Sequence, residues 1–333
     1  MPHKICVIYG DGIGREVVDS ALNVLDAAGF KAKYEHAEAG FACYQKHGTS
    51  IPDETIEACE SADATLFGAV TSPPNIEDYK SAIVTLRQKL DLFANLRPIV
   101  SYPIPNTRQN IDMLIVRENT EGMYSGIEED FGDKVVAHRV ITRKASERII
   151  RFAFEQALLH KKKTVTLVHK ANVLRKSDGL FRQVGLEVAK KYPAIEMNEV
   201  IVDAMAMRLI KEPEKFEVIV TTNLFGDILS DEACMLVGGL GVAASGNIGH
   251  KTGIFEPTHG SAPKYEGKNY VNPMAAILSG AMMLDFLKET KKAELIRNSI
   301  RNVLEKKNYT KDIGGILGTK EFTRKVVEEI SSV

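Results

Sequence analysis

Ile5-Cys6-Val7-Ile8-Tyr9-Gly10-Asp11-Gly12-Ile13-Gly14 runs from an apolar strand into a glycine-rich turn, and an amphipathic helix near Gly14–Ala28 follows at once. Glycines between a strand and a helix suit a phosphate-binding turn, because the backbone amides of a helix start can face an anion. The spacing, however, fails the dinucleotide fingerprint. Counted from Gly10 the third glycine position is Arg15, and counted from Gly12 it is Val17. The stretch therefore points to an α/β chain that is not a Rossmann fold, and the turn reads equally as a tight strand-to-helix connection.

The same alternation continues outward. A strand at Ala64–Val70 precedes a helix near Ser81–Leu90. Met113–Arg117, Val135–Thr142, Thr164–His169, Ile195–Val202 and Val218–Thr222 read as further strands, mostly with helices between them. Strands alternating with helices predict a largely parallel sheet. A length of 333 residues suggests two domains. Ser72-Pro73-Pro74 and Pro98–Pro105 are candidate ordered loops, the second a candidate domain crossing. Glycine-rich Gly238–Gly260 is a candidate return crossing.

Composition narrows the function classes. Apolar and charged fractions of 44% and 26% are those of a globular chain. A formal net charge of -1 gives no general attraction to nucleic acid or an anionic membrane. No apolar run spans a bilayer and no signal-peptide pattern opens the chain, so a cytoplasmic protein is expected. Cys6, Cys43, Cys59 and Cys234 are scattered without a C-x-x-C pair, and they read as structural thiols rather than zinc ligands or disulfides.

Several residues carry candidate chemistry. Arg87, Arg97 and Arg117 could each bind a carboxylate bidentately, and three such forks on one ligand suit a di- or tricarboxylate. Arg117 ends an apolar strand, where α/β proteins place ligands. In Phe225-Gly226-Asp227-Ile228-Leu229-Ser230-Asp231, Asp227 and Asp231 stand four apart and share a helix face. Two like charges there repel, whereas a divalent cation between them reverses the sign. Oxygen-only donors favour Mg²⁺ or Mn²⁺ over Zn²⁺. Tyr124 and Lys170 are acid–base candidates. Lys170 closes the strand Thr164–His169, and a desolvated lysine can serve as a base near neutrality. The loop Glu256-Pro257-Thr258-His259-Gly260-Ser261-Ala262-Pro263-Lys264-Tyr265 is dense in donors and suits an adenine nucleotide.

With these residues assembled, the chain resembles the β-decarboxylating dehydrogenases, the isocitrate, homoisocitrate, 3-isopropylmalate and tartrate/malate enzymes. The motifs GDGIG, LRQKLDLFANLRP, VRENTEG, HKANVLR, NLFGDILSDEA, EPTHGSAP and YTKDIGG carry the resemblance along essentially the whole chain. It implies the two-domain isocitrate/isopropylmalate dehydrogenase fold. One domain, 1–98 with 247–333, lies on the cofactor side. The other, 99–246, bears the dimer interface and the metal and catalytic residues, with crossings near Arg97–Ser101 and Ser245–Gly249. It implies a homodimer or dimer of dimers with active sites shared between chains.

The resemblance also implies roles. Arg87, Arg97 and Arg117 bind the malate part of the substrate, and Ser81 and Val84 face its distinguishing group. Asp227 and Asp231 bind the metal, which acts as a Lewis acid on alkoxide and enolate, and Asp203 reaches the metal or the site of the neighbouring subunit. Lys170, also from the neighbour, takes the hydroxyl proton, and Tyr124 protonates the enol carbon after CO₂ leaves. Asn172 lies near the nicotinamide. His259, Gly260, Ser261, Ala262 and Asn272 line the adenosine side, with Lys264, Tyr265 and Asp312 nearby.

Ser81-Ala82-Ile83-Val84 after Gly68-Ala69-Val70-Thr71-Ser72-Pro73 looks most like the homoisocitrate dehydrogenases, with isocitrate next and isopropylmalate third. Lys264-Tyr265 replaces the Asp-Ile of NAD-dependent members and favours NADP, while Tyr309–Gly315 stays closer to the NAD pattern, so dual use is expected. The non-enzyme alternative is a regulatory subunit of a hetero-oligomeric isocitrate dehydrogenase. Such chains usually lose the tyrosine, the lysine or an arginine; all are present here.

Overall fold

The computed structural model describes residues 2–73, 75–76 and 79–332. In chain order the first elements are β1 (His3–Gly10), α1 (Gly14–Ala27), β2 (Ala32–Ala37), α2 (Phe41–His47), α3 (Asp53–Ser61), β3 (Ala64–Ala69) and α4 (Ala82–Lys89). Then follow β4 (Ala94–Val100), β5 (Asp112–Glu118), β6 (Glu128–Asp130), β7 (Val135–Ala137), α5 (Arg143–Leu159), β8 (Thr164–His169), α6 (Ser177–Ala189), β9 (Glu196–Ile201), α7 (Val202–Lys211), β10 (Val218–Thr221) and α8 (Asn223–Val237). The chain closes with β11 (Ala244–Ile248), β12 (Gly253–Pro257), α9 (Met274–Phe286), α10 (Thr290–Glu305) and α11 (Thr319–Ser331).

These elements form two compact units. The first unit comprises Met1–Leu92, Ser101–Gln109 and Val237–Val333, and the second Phe93–Val100 with Asn110–Leu236. The chain passes between the units at Leu92/Phe93, Val100/Ser101, Gln109/Asn110 and Leu236/Val237, and the second of these lies within Arg97–Ser101. The proline stretch does not form one loop, because Pro98 sits within β4, in register with Leu114 of β5. The return lies at Leu236/Val237 rather than Ser245–Gly249, because β11 pairs with β12 inside the first unit. Of Ser72-Pro73-Pro74, Pro74 lies outside the described residues.

In the first unit the strands run in the order β2-β1-β3-β12-β11. β1 is parallel to both neighbours, β12 is parallel to β3, and β11 is antiparallel to β12. Every residue of β3 is buried, as expected of a strand covered on both faces. Helix α9 is apolar all round and packs against α1, α10 and β12, which makes it the core helix of the unit. β11 and β12 were hidden in the glycine-rich stretch. Their glycines are steric: a Cβ on Gly246 or Gly253 would lie 2.9 Å from the ring of Phe255.

In the second unit the order is β4-β5-β10-β8-β9. Within this five-strand order β4–β5 is antiparallel and the other described pairs are parallel. α5 packs over β5, β8 and β10 and against α6. The expected strand Val135–Thr142 is shorter. Only Val135–Ala137 pairs, with Glu128–Asp130, and a single bridge joins Val140 to Gly122. Its β-branched residues carry strand propensity, but no longer partner strand runs beside them. The four cysteines are buried and free. Among the described residues no helix is long and apolar enough to cross a membrane.

Candidate active site

The glycine turn that opens the chain is closed. Asp11 donates its amide to Ala69, Ile13 to Ser261 and Gly14 to Asp11. A Cβ on Gly12 would lie 2.2 Å from the Ser261 carbonyl oxygen, so only glycine fits that approach. The Asp11 carboxylate points across to other segments and accepts from the amides of Phe41, Ala42 and Thr71 at 2.8–2.9 Å. The turn is thus a clamp between loops, and the amides of Asp11, Ile13 and Gly14 are already used.

The main charge cluster lies in the second unit. β10 ends at Thr221 and α8 begins two residues later, so Asp227 and Asp231 rise on one face of α8. Arg97 from β4 bridges them, donating through Nη2 to Asp227 Oδ1 at 3.1 Å and through Nη1 to Asp231 Oδ1 at 2.8 Å. Its Nη1 also reaches Ser230 Oγ at 2.7 Å, and its Nε reaches Asn95 Oδ1 at 2.8 Å. In this chain a guanidinium therefore offsets the repulsion between the two carboxylates. Arg117, 1% exposed at the end of β5, donates to Asp227 Oδ1 at 2.5 Å and to Asn223. Gly226 makes room for it: a Cβ there would lie 2.6 Å from Arg117 Cγ.

Tyr124 completes the cluster. Gly122, at φ +82°, turns the chain into the single helical turn Met123–Ser125, and the Tyr124 hydroxyl donates to Asp227 Oδ2 at 2.5 Å. The Arg117 guanidinium lies 5.0 Å from the Tyr124 ring centroid. Burial, then the Asp227 carboxylate, push the phenol pKa up despite Arg117. Tyr124 therefore keeps its proton at neutral pH, as a donor must.

Lys170, directly after β8, pairs instead with Asp203 on the first turn of α7. That ammonium holds the Asp203 carboxyl below the usual carboxylate range. The Lys170 amide donates to Asp178 Oδ2 at 2.6 Å, and fully buried Asp178 is paired in turn with Arg139. Arg139 also reaches Thr222 Oγ1 at 3.0 Å. This buried pair ties Lys170 to the segment between β10 and α8. Asp203 does not join Asp227 and Asp231 in one cluster among the described residues.

The remaining candidates belong to the first unit, except exposed Asn172. Arg87, 8% exposed, donates through Nε to Asn247 at 3.0 Å and through Nη2 to Glu256 at 3.2 Å. Ser81 caps α4 without using its hydroxyl on the helix. Val84 is half-buried, while Ile83 packs into the core with Ala82 and Leu86. Ile83 is therefore a packing residue. Ser261 meets Thr71 through their hydroxyls at 2.6 Å, and Ala262 adopts φ +37°. Gly260 is exposed, and a Cβ there would meet nothing. His259 Nε2 is buried with no hydrogen-bond partner among the described residues, and burial lowers the imidazole pKa. Buried Asn272 donates to Asp312 at 3.1 Å.

Tyr265 stacks on Tyr270 at 4.8 Å, with Lys264 over the first ring and Lys311 over the second. Lys311 and Tyr270 were not singled out in the sequence, nor were Asn223, Gly226, Ser230, Asp178 and Arg139. Three of these lie inside NLFGDILSDEA, and Asp178 stands eight residues past Lys170; only the partners reveal what they do.

Residues 4–330 match the family model described as isocitrate/isopropylmalate dehydrogenase. The chain belongs to that family. It is 50% identical, over 100% of both chains, to the isocitrate/homoisocitrate dehydrogenase of Thermus thermophilus. It is 49% identical to the 3-isopropylmalate dehydrogenase of Methanothermobacter thermautotrophicus, over 98% of each chain. The crystal structure of isocitrate dehydrogenase from Methylococcus capsulatus superposes with a TM-score of 0.95, at 43% identity and 99% coverage of each. The family places this chain among the dehydrogenases that oxidise a CH–OH group and decarboxylate 3-substituted malates, with NAD(P) and a divalent metal. The residues present suit both groups. Asp227 and Asp231 offer carboxylate oxygens on one helix face, and the unpartnered His259 nitrogen suits a nucleotide.

Proposed function

We propose that the chain oxidises homoisocitrate and decarboxylates the resulting β-keto acid to 2-oxoadipate and CO₂, with a modest preference for NADP over NAD. The observation that carries the substrate reading is Ser81. Its hydroxyl is not spent on capping α4, and it stands where the helix amides favour negative charge. A distal carboxylate suits that position better than an isopropyl group. Isocitrate carries such a carboxylate too and is the second substrate. The Thermus relative, named for both acids, supports the pair.

In this reading Arg97 and Arg117 take the malate carboxylates, exchanging part of their bonding to Asp227 and Asp231, and Arg87 is assigned to the same substrate. Asp227 and Asp231 hold Mg²⁺ or Mn²⁺, with Asp203 contributed by a neighbouring chain. NAD(P) supplies the hydride acceptor and the divalent cation a Lewis acid for the hydroxyl oxygen. Lys170, from the neighbouring chain, takes the hydroxyl proton. Tyr124 gives its proton to the enol carbon after CO₂ has left, and Asp227 orients the phenol. Asn172, His259, Gly260, Ser261, Ala262, Asn272 and Asp312 belong to the nucleotide side. Lys264 and Lys311, over the stacked tyrosines, supply positive charge for a 2′-phosphate.

A homodimer follows from the same reading. Asp203, Met207 and Ile210 share a face of α7, and both apolar residues are about 60% exposed (60% and 59%). Ile228 and Met235, 57% and 68% exposed, repeat on α8. Such an apolar surface beside Asp203 suits a second copy of the chain. The deciding experiment is a panel of kcat/KM values for homoisocitrate, isocitrate and 3-isopropylmalate, each with NADP and NAD. A dominant isopropylmalate activity would overturn the substrate assignment.

A further inference from the structure

A second group of ligand-type side chains stands in the first unit. Glu38, Cys43 and His47 each offer one donor atom, and the three atoms lie within 4.8 Å of one another. Cys43 and His47 are one turn apart on α2, so they share a face. His47 Nε2 already approaches Glu38 Oε2 at 3.1 Å. Cys43 is 4% exposed, and its thiol makes no hydrogen bond to any described residue while lying against the other two donors. The frame around them is fixed. Asp11 accepts from the first two amides of α2, and Thr55 donates its hydroxyl to the Glu38 carbonyl at 2.8 Å.

We propose that Glu38, Cys43 and His47 bind one zinc-class divalent cation. Metal–ligand distances of about 2.0–2.3 Å put the donors of a tetrahedral site about 3.3–3.8 Å apart. Glu38 and His47 are already close at 3.1 Å, and any further closure onto Cys43 is at most about 1.5 Å, which side-chain rotation of Glu38 and His47, 60% and 40% exposed, can supply. One thiolate, one imidazole and one carboxylate leave the fourth position to water. On binding, the Cys43 thiol proton passes to solvent and sulfur bonds the metal; nothing is oxidised or reduced. Lys46, now 3.1 Å from both Glu38 oxygens, must release one of them. Thiolate and imidazole select Zn²⁺ or Co²⁺ over Mg²⁺, so the cation required for turnover does not compete here. The ligands are shared with none of Asp203, Asp227 and Asp231.

The test titrates the full-length protein with Co²⁺ in excess Mg²⁺ and records near-ultraviolet absorption. A cobalt bound only by oxygen shows no thiolate charge-transfer band, so carboxylate binding elsewhere does not imitate the signal. The expected result is a band saturating at one equivalent per chain, abolished by Zn²⁺ and absent in Cys43→Ser. Because a buried serine can disturb folding, His47→Gln and Glu38→Gln are measured as well, and both should weaken cobalt binding. Absence of the band in the unmodified protein overturns the proposal, as does a band undiminished in Cys43→Ser or His47→Gln.

Discussion

The charge cluster of the second unit and the lysine–tyrosine stack of the first hold their cations in opposite ways. Arg97 and Arg117 are buried and bonded to Asp227, Asp231, Asn95, Asn223 and Ser230 before any ligand arrives. Lys264 and Lys311 instead lie over tyrosine rings at an exposed rim. A guanidinium in a closed network cannot lose a partner cheaply, because the remaining charge stays buried. A lysine over a ring keeps its hydration and can be exchanged with small cost to the fold. The buried arginines are therefore fixed by the fold, and the two lysines are replaceable surface charge; under the proposed function the first group carries the chemistry and the second biases the nucleotide.

The sharpest way to break the comparison is Lys170→Met. Loss of the proton acceptor should lower kcat by about 10²–10⁴-fold, the usual contribution of a positioned acid or base. Initial rates check it, and near-normal turnover would end the base assignment. Tyr124→Phe should chiefly slow protonation after decarboxylation.

Next in size is Asp227→Asn. Chelator should abolish activity of the unmodified enzyme and Mg²⁺ or Mn²⁺ restore it, while the variant should need far more metal. The same change strips Arg97 and Arg117 of a charged partner and should cost about 1–3 kcal/mol of stability, read by denaturant unfolding. A variant with unchanged metal requirement and unchanged stability would contradict the closed network.

The lysine–tyrosine stack should respond differently. Lys264→Asp with Tyr265→Ile should shift the NADP/NAD ratio of kcat/KM by about tenfold to a hundredfold, the value of a charge-assisted phosphate bond of about 1.5–3 kcal/mol. Unfolding should barely move. A better kcat/KM with NAD in the unmodified enzyme would show that Lys264 does not face a 2′-phosphate. Lys311→Met sharpens the point, with a smaller change in the same direction.

The smallest effect is expected at α4. Ser81→Ala should lower kcat/KM for homoisocitrate several-fold, the loss of one hydrogen bond of about 0.5–1.5 kcal/mol, with little change for isopropylmalate. Equal losses for both substrates would mean that Ser81 does not read the distal group. Val84→Arg should further disfavour the apolar substrate.

Much of this was readable along the chain because it depends on near neighbours. Period-2 and period-3.6 patterns marked β1, β3, β8 and β10 and their helices, since side-chain direction repeats locally. Asp227 and Asp231 share a face by helix geometry alone, and Arg117 stood out by ending a strand. Pairings between distant segments were not readable. Pro98 disguised β4 because its partner β5 follows after a separate excursion through Ser101–Gln109. Glycines disguised β11 and β12, since Gly246 is required by the ring of Phe255, its partner on the neighbouring strand.

By itself the sequence determined the α/β class, the absence of a dinucleotide fingerprint, the acid–base candidates and the carboxylate pair, all set by composition, spacing or local period. Only the tertiary structure decided that Arg97 bridges the two aspartates, that Asp178 and Arg139 hold the Lys170 backbone, that Ile83 is core, and that Cys43 meets Glu38 and His47. The physical reason is range. Helix and strand periodicity act over a few residues, whereas a guanidinium finds its carboxylate only after strands more than a hundred residues apart have paired.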